Sequence, residues 1–276
     1  MSVVYLNGAF VVDSEARIPV NDQAVLFGRG IYETFRARQG TVFLLDRHIA
    51  RLREGASVVG IEVPPVVSEL VEIVRELADR CGIEDARVRL TLTAGPPGGQ
   101  PSLVIQAREA TDYPAALYER GMTTVVADMR RNETSPLSRV KSLNCLDSIM
   151  SREQAVKAGA DTGLLLNTQG NVAEASTANV FIVKGGLILT PPVEDGALPG
   201  VTRSFVLQEA SEATLTLDDI LTSDEAFLTG AVMGVMPLVR VGERAIGDGK
   251  PGNMTNRVRG RYETAARAAL ADLLAS

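Results

Sequence analysis

The sequence is poor in the residues that carry most acid–base and metal chemistry in proteins. Its 276 residues include one His, two Cys and no Trp, and aromatic residues make up 4%. A structural zinc site needs about four Cys or His ligands, and Cys81 and Cys145 are too few and too far apart for a disulfide framework. We therefore expect no metal site and no disulfide framework. An enzyme of this composition needs an electrophile from a source other than His and Cys.

The chain also lacks a basic surplus and long apolar runs. Its 28 Lys and Arg residues are outnumbered by 34 Asp and Glu residues, which gives a net charge of −6. Neither a basic face nor an aromatic stacking surface is then available for nucleic acid. The chain contains no uninterrupted run of about eighteen apolar residues, the length that crosses a membrane. No targeting segment is recognisable. These features predict a soluble, cytoplasmic protein that binds neither nucleic acid nor membranes.

Residues 1–112 have the pattern of a small α+β domain. Val3–Leu6 and Ala9–Val12 flank Asn7-Gly8, a pair typical of a two-residue hairpin turn. Arg87 to Thr93 alternates between polar and apolar residues, which indicates a strand with one buried face. Two helices are predicted, the first capped by Asp46 and the second running over 66–80.

Residues 121–276 form a second, larger predicted domain, joined to the first by a linker at 113–120. A hairpin is predicted from strands at 179–183 and 187–190, with Lys184-Gly185-Gly186 at its turn. One helix is expected to begin at Val201 and run to about Ala213. A long terminal helix is expected over 253–274.

Common catalytic motifs are missing. The chain has no phosphate-binding loop of the Gly-x-x-x-x-Gly-Lys-Ser/Thr type, no Gly-x-Ser-x-Gly and no His-Glu-x-x-His. Nucleotide hydrolysis, serine hydrolase chemistry and zinc peptidase chemistry are therefore disfavoured.

Lysine is scarce, which makes each lysine informative. The four are Lys141, Lys157, Lys184 and Lys250. The last three occupy ordinary places at a helix end, in a hairpin turn and in a loop. Lys141 lies between a strand and a helix among small and apolar residues, where burial would make its amine a nucleophile toward carbonyls. On this pattern alone, an ordinary lysine near a helix start remains the stronger interpretation.

Two further segments could bind a cofactor. A tight turn at Leu198-Pro199-Gly200 is followed by a helix with Thr202 in its first turn, an arrangement suited to a phosphate, although plain helix capping explains it equally. Glu174 lies in a run of small residues before an apolar strand, where either a buried carboxylate or a surface turn carboxylate fits. A nucleophilic amine, a phosphate cradle and a buried carboxylate are the groups that a pyridoxal phosphate site requires.

The sequence resembles the fold type IV, or class IV, pyridoxal-phosphate enzymes over nearly its whole length. This group contains branched-chain aminotransferases, D-amino acid aminotransferases and aminodeoxychorismate lyases. Five motifs appear in the family's order: Phe27-Gly28-Arg29-Gly30-Ile31-Tyr32-Glu33-Thr34, His48-Ile49-Ala50-Arg51-Leu52, Lys141-Ser142-Leu143-Asn144, Glu174-Ala175-Ser176-Thr177-Ala178-Asn179-Val180-Phe181 and Leu198-Pro199-Gly200-Val201-Thr202-Arg203. The resemblance implies a small antiparallel α+β domain, a larger β-barrel-like domain with flanking helices, and a homodimer.

The resemblance also implies roles for single residues. Lys141 would bind pyridoxal 5′-phosphate covalently as a Schiff base and act as the general base of transamination. Glu174 would keep the pyridine nitrogen protonated. Tyr32 resembles the aromatic residue on the substrate side, and His48 is expected to support the site without acting as a catalyst.

The phosphate of the cofactor would be bound by three residues under the same resemblance. These are Arg51, through its guanidinium, and Val201 and Thr202, through their backbone N–H groups and the Thr202 hydroxyl.

The chain departs from the family pattern at several positions. Cys145 occupies a position where many members carry Tyr. Ala94 lies near the position at which D-amino acid aminotransferases carry the Arg that binds the substrate carboxylate. In the segment 229–237, Ala231, Gly234 and Met236 replace residues common in branched-chain enzymes. Its ending, Val235-Met236-Pro237, is more similar to aminodeoxychorismate lyases. An aminotransferase acting on an amino acid or amine and a 2-keto acid is favoured. A lyase releasing pyruvate and 4-aminobenzoate, and a non-catalytic binding protein on the same fold, are the alternatives.

Overall fold

A computed structural model describes residues 2–111 and 113–274 of the chain. Its contacts divide the described residues into two compact units. Within the described residues, one unit draws on 2–111, 140–144 and 266–274, and the other on 113–139 and 145–265. The domain limits 1–112 and 121–276, with a linker at 113–120, stay a prediction.

The first unit is built on a six-stranded antiparallel sheet in the order β2-β1-β6-β5-β3-β4. Its strands are β1 (Val3–Leu6), β2 (Ala9–Val12), β3 (Gly30–Arg38), β4 (Thr41–Val42), β5 (Asp85–Thr93) and β6 (Ser102–Glu109). The helices of its N-terminal segment are α1 (Gln23–Phe27), α2 (Leu45–Val59) and α3 (Leu70–Cys81). The predicted antiparallel α+β unit is confirmed.

Both sequence signals for this sheet are confirmed. Asn7 and Gly8 have φ angles of 49° and 98°, as the turn between β1 and β2 requires. On β5, the alternate residues Val88, Leu90 and Leu92 are completely buried. They share a hydrophobic core with apolar residues of α2 and α3, because alternation places every second side chain on one face of the sheet.

The predicted helix starts in this unit are wrong. Leu44, with a left-handed φ of 59°, precedes α2, so Asp46 lies in the first turn and does not cap the helix. The second helix begins at Leu70, since Pro65–Glu69 forms a tighter 3-10 turn. In both places the local backbone conformation, and not the helical spacing of apolar residues, determines where the helix begins.

The second unit contains a nine-stranded mixed sheet. Its strands are β7 (Met122–Arg131), β8 (Thr162–Asn167), β9 (Val172–Ala175), β10 (Asn179–Lys184), β11 (Leu187–Thr190), β12 (Ser211–Glu212), β13 (Glu225–Gly230), β14 (Gly234–Val241) and β15 (Arg244–Ala245). The order is β12-β11-β10-β13-β14-β7-β8-β9, with β15 beside β14. The pairs β11–β12, β14–β7 and β7–β8 are parallel. A bridge between Ala175 and Ala178 brings β9 back beside the start of β10, so that the sheet curls.

The helices of the remaining chain are α4 (Ala115–Arg120), α5 (Leu146–Lys157), α6 (Val201–Val206), α7 (Leu217–Leu221) and α8 (Asn253–Leu274). The hairpin of β10 and β11 and the bounds of α8 are as predicted. The helix predicted to reach about Ala213 is too long, because α6 ends at Val206. Ser211 and Glu212 instead pair with β11, so sheet pairing prevails over helix propensity there.

No helix in residues 2–111 and 113–274 is long and apolar enough to cross a membrane.

Candidate active site

Lys141 lies on a short segment that runs beside the start of β3. Tyr32 N donates a hydrogen bond to the Lys141 carbonyl at 2.9 Å, and Leu143 N donates to the Gly30 carbonyl at 2.9 Å. These two bonds fix the backbone on both sides of the lysine. The side chain is half-buried, and not fully buried as the surrounding sequence suggested. Its Nζ lies 4.5 Å from the centre of the Tyr32 ring.

Tyr32 therefore stands next to the predicted nucleophile, and it has a second cationic neighbour. The guanidinium carbon of Arg89, on β5, lies 3.8 Å from the centre of the same ring. Cations placed over an aromatic face are attracted by its negative charge distribution. The Tyr32 ring thus has two cationic neighbours, and Arg89 is a neighbour of the predicted site that the sequence reasoning did not name.

Arg51 belongs to a buried ionic cluster with Glu33 and His48. Its Nε donates to Glu33 Oε1 at 2.8 Å and its Nη2 to Glu33 Oε2 at 2.6 Å. His48 Nδ1 lies 2.8 Å from Glu33 Oε2. Glu33 and His48 are each 2% exposed. The bidentate pair fixes the orientation of the guanidinium that we expect to bind phosphate.

The protonation states in this cluster follow from its geometry. Burial alone would raise the pKa of Glu33, but the charge of Arg51 and hydrogen bonds from His48 and Arg51 lower the pKa to about 2. Burial lowers the pKa of His48 below its usual 6.5, against the opposing effect of Glu33. Glu33 is thus an anion and His48 a neutral ring that donates from Nδ1. The predicted supporting role of His48 stays a prediction, and the geometry fits it.

Local sequence explains how this cluster forms. Ile31, Glu33 and Phe35 are alternate residues on the buried face of β3. His48 and Arg51 lie three residues apart on α2, and so on one side of the helix. A charged residue at a buried position of an alternating strand is the signal that could have identified Glu33.

Glu174 is buried in β9 and is only 6% exposed, so the surface-turn alternative is wrong. Its Oε1 lies 2.9 Å from Arg131 Nη2. Its Oε2 accepts a hydrogen bond from Leu198 N at 2.9 Å, and Asn179 Nδ2 lies at 3.5 Å. A buried carboxylate with an arginine partner keeps its negative charge. It is therefore a suitable partner for a protonated ring nitrogen.

The Leu198-Pro199-Gly200 turn leads into α6 as predicted. Val201 and Thr202, in the first turn, are buried. The Thr202 hydroxyl is buried and interacts with Tyr262, whose pKa it lowers against the larger effect of burial. A Cβ on Gly200 would lie 2.0 Å from Asn179 Oδ1, so any larger residue there would have to displace the Asn179 side chain. The buried hydroxyl and the N–H groups of the first turn suit a phosphate oxygen.

No group of three or more His, Cys, Asp or Glu side chains that could hold a metal ion occurs in the described part of the chain. Cys81 and Cys145 are both free and half-buried. Cys145 immediately precedes α5.

A model of the amino-transferase class IV family matches residues 30–241. The chain therefore belongs to the class IV aminotransferases, and it is an enzyme of that family with the type IV fold.

Curated relatives match the chain over most of its length. A putative branched-chain-amino-acid aminotransferase of Methanocaldococcus jannaschii is 34% identical, covering 94% of this chain and 95% of the relative. A D-alanine aminotransferase of Staphylococcus aureus is 30% identical, covering 95% and 97%. An aminodeoxychorismate lyase of Bacillus subtilis is 31% identical, covering 87% of each chain. The three subgroups named by the sequence resemblance are thus all represented.

Solved structures give the same result for the fold. A branched-chain aminotransferase from Thermoproteus uzoniensis with norvaline has a TM-score of 0.87 at 30% identity, covering 98% of this chain and 95% of that one. A second branched-chain amino acid aminotransferase, from T.th. and with pyridoxamine 5′-phosphate, has a TM-score of 0.87 at 28% identity, covering 95% and 92%.

Proposed function

We propose that this chain is a pyridoxal 5′-phosphate-dependent aminotransferase that moves an amino group between an amino acid, or an amine, and a 2-keto acid. One observation carries the proposal. A class IV chain with only four lysines keeps one of them, Lys141, in the family's motif, and it also keeps a buried, ion-paired carboxylate at Glu174. These are the two side chains on which the chemistry depends.

The proposed role of Lys141 is covalent and acid–base. When bound, the cofactor supplies an electrophilic carbon and a ring that accepts the electron pair of the substrate α-carbon. The amine of Lys141 is the nucleophile that holds the cofactor. Once an amino substrate has released it, the Lys141 amine would act as the general base that takes and returns the proton of the substrate α-carbon. Tyr32, in contact with the lysine, lines the substrate side.

The proposed phosphate site has two kinds of donor. Arg51 supplies a guanidinium whose direction is set by Glu33. Val201 and Thr202 supply backbone N–H groups and the buried Thr202 hydroxyl. Charge-assisted hydrogen bonds of this kind are the strong ones in proteins.

Glu174 is proposed to accept a hydrogen bond from the protonated pyridine nitrogen. The Glu174→Ala variant should still hold the cofactor covalently through Lys141, yet turn over much more slowly, because the protonated ring stabilises the developing carbanion. Near-normal turnover would rule out this role.

An aminodeoxychorismate lyase is the second candidate. The Bacillus subtilis relative and the sequence Val235-Met236-Pro237, near the start of β14, support it. Lyase chemistry can use the same cofactor residues, so the two candidates differ in their contacts with substrate.

The experiment that separates the candidates is a cofactor-conversion assay. The purified enzyme is mixed with L- and D-amino acids, amines and aminodeoxychorismate, and the absorbance of the cofactor is followed. An aminotransferase converts the cofactor to its amine form in a half-reaction and needs a keto acid to complete the cycle. Release of pyruvate from aminodeoxychorismate without a keto acid would assign the lyase. No response to any substrate would overturn both.

We also propose a homodimer, which the class IV resemblance implies. Helix α1 leaves three consecutive apolar side chains exposed, those of Val25, Leu26 and Phe27, and Phe27 is 70% exposed. Exposed apolar clusters mark association surfaces. The Leu26→Glu variant should sediment as a monomer, whereas Leu187→Glu, at an exposed hairpin position, should sediment like the unchanged protein. A monomeric unchanged protein would contradict the proposal.

A further inference from the structure

We propose that Arg131 is the positioning residue for Glu174, and that Asp147 holds Arg131 in place. The proposal rests on the proposed function, because it assigns Glu174 to the pyridine nitrogen. It adds two residues of this chain that set the charge and orientation of that carboxylate.

Every nitrogen of the Arg131 guanidinium has an acceptor. Nη2 lies 2.9 Å from Glu174 Oε1 and 3.2 Å from the Ser138 carbonyl. Nη1 lies 3.0 Å from Asp147 Oδ2, and Nε lies 3.4 Å from the Gly196 carbonyl. Acceptors on several sides leave the planar guanidinium one orientation. Arg131 is thus a fixed donor and not a mobile surface cation.

Burial makes this arrangement consequential for Glu174. The side chains of Arg131 and Glu174 are 11% and 8% exposed. A buried carboxylate without a counter-charge is costly and takes up a proton. A protonated carboxyl would no longer hold the proton on the ring nitrogen. Arg131 therefore keeps Glu174 in the form that can accept the hydrogen bond of a protonated ring.

The second oxygen of Glu174 is fixed independently. Leu198 N donates to Oε2, and Asn179 Nδ2 donates to the Leu198 carbonyl at 2.8 Å. Arg131 on one oxygen and a backbone N–H on the other define the plane of the carboxylate. Loss of Arg131 would remove both the counter-charge and one of these two restraints.

Asp147 completes the arrangement from the first turn of α5. Its Oδ1 accepts from Ser148 N at 2.8 Å, so that the helix start holds the carboxylate. Its other oxygen faces Arg131. With Glu174 and Asp147 on one guanidinium, Arg131 is shared between a buried and a partly exposed acid, whose side chain is 32% exposed.

A double-mutant cycle on cofactor binding tests the proposal. Pyridoxal 5′-phosphate is titrated into apoenzyme of the unchanged protein, Arg131→Gln, Glu174→Gln and the double variant. We expect Arg131→Gln to weaken binding about tenfold or more alone, and to have less than about threefold effect in the Glu174→Gln background. Arg120→Gln is the control, since its partner Asp161 forms a half-exposed pair in the same unit. It should leave binding unchanged.

A second readout reports the ring nitrogen directly. With ¹⁵N-labelled cofactor, we expect the nitrogen signal of the unchanged protein to be that of a protonated ring, and Arg131→Gln to shift it toward the unprotonated position. Equal weakening in both backgrounds, or an unshifted signal, would overturn the proposal while leaving the proposed function intact. If the unchanged protein binds no cofactor, both fail. Should Arg131→Gln not fold, Arg131→Lys is put through the same cycle with the same criterion.

Discussion

At the scale of single residues, two charged side chains assigned to the cofactor each have a buried partner of opposite charge. Glu33 holds Arg51, and Arg131 holds Glu174. Such pairs add little to stability, because desolvation offsets much of their attraction. Their value here is directional, since each fixes the orientation of a group that would face the cofactor.

The only histidine gives a prediction at this scale. We expect the imidazole pKa of His48 in the folded protein to lie below 6.5, because burial outweighs the charge of Glu33. Since the chain has one His, its ring resonances can be followed in an NMR titration without assignment. A folded-state pKa at or above 6.5 would show that Glu33 prevails.

The same shift has a consequence for stability. The unfolded chain binds a proton at His48 near pH 6.5 while the folded chain resists it, so the free energy of unfolding falls as the pH drops below 6.5. Glu33, with a pKa of about 2, adds no slope there, because its contribution is lost only as the pH falls from about 4.5 toward 2. The His48→Gln variant should show a smaller dependence of the free energy of unfolding on pH between pH 5.5 and 6.5, as measured by urea unfolding.

Sequence reasoning could identify some of these residues and not others. Lys141, Glu174, Arg51 and Thr202 stand in recognisable motifs. Arg131 lies in an ordinary strand end, and only the pairing of β7 with β8, and of β8 with β9, brings it to Glu174. Contacts between residues far apart in sequence leave no local pattern to detect.

At the scale of elements, strands were predicted better than helix ends. Alternation of polar and apolar residues indicates which side chains are buried, and Asn-Gly indicates a turn. The strands β1, β2 and β5 could therefore be predicted from the sequence. Helix starts depend on single backbone conformations such as that of Leu44. The strand β9 was not predicted, because it has only four residues and three of them, two Ala and one Glu, are uncommon in strands.

Helix α8 is capped by a residue from a distant strand. Glu225, in β13, accepts hydrogen bonds from Met254 N and from both N and Oγ1 of Thr255. Glu225→Ala should lower the free energy of unfolding by about 1–2 kcal/mol, as loss of a charged helix cap does. Urea unfolding measures this loss of stability. Glu243→Ala, at an exposed turn, is the control and should have almost no effect. Equal stability of the two variants would contradict this role.

Gly200 gives a second prediction for an element boundary. In Gly200→Ala the new Cβ would displace the Asn179 side chain, which holds the Leu198 carbonyl. We expect a stability loss of about 1–3 kcal/mol and weaker cofactor binding. Gly260→Ala, with open space in α8, should instead stabilise the protein by about 0.5–1 kcal/mol. Unchanged cofactor affinity in Gly200→Ala would show that the Asn179 contact is dispensable.

At the scale of the whole molecule, the family and the type IV fold followed from five ordered motifs, and the comparisons confirm them. The substrate did not follow, because relatives with different substrates match this chain with similar identity. Substrate choice depends on a few side chains around a shared centre. A cytoplasmic location stays a prediction.

The central claim is that Lys141 is the lysine that binds pyridoxal 5′-phosphate covalently. The most direct measurement is borohydride reduction of the enzyme loaded with cofactor, followed by peptide mass spectrometry. With only four lysines in the chain, each site can be followed separately. We expect the pyridoxyl mass on the peptide of Lys141 alone, and no label there in Lys141→Ala. An unlabelled Lys141, or equal label on Lys157, Lys184 or Lys250, would contradict the claim.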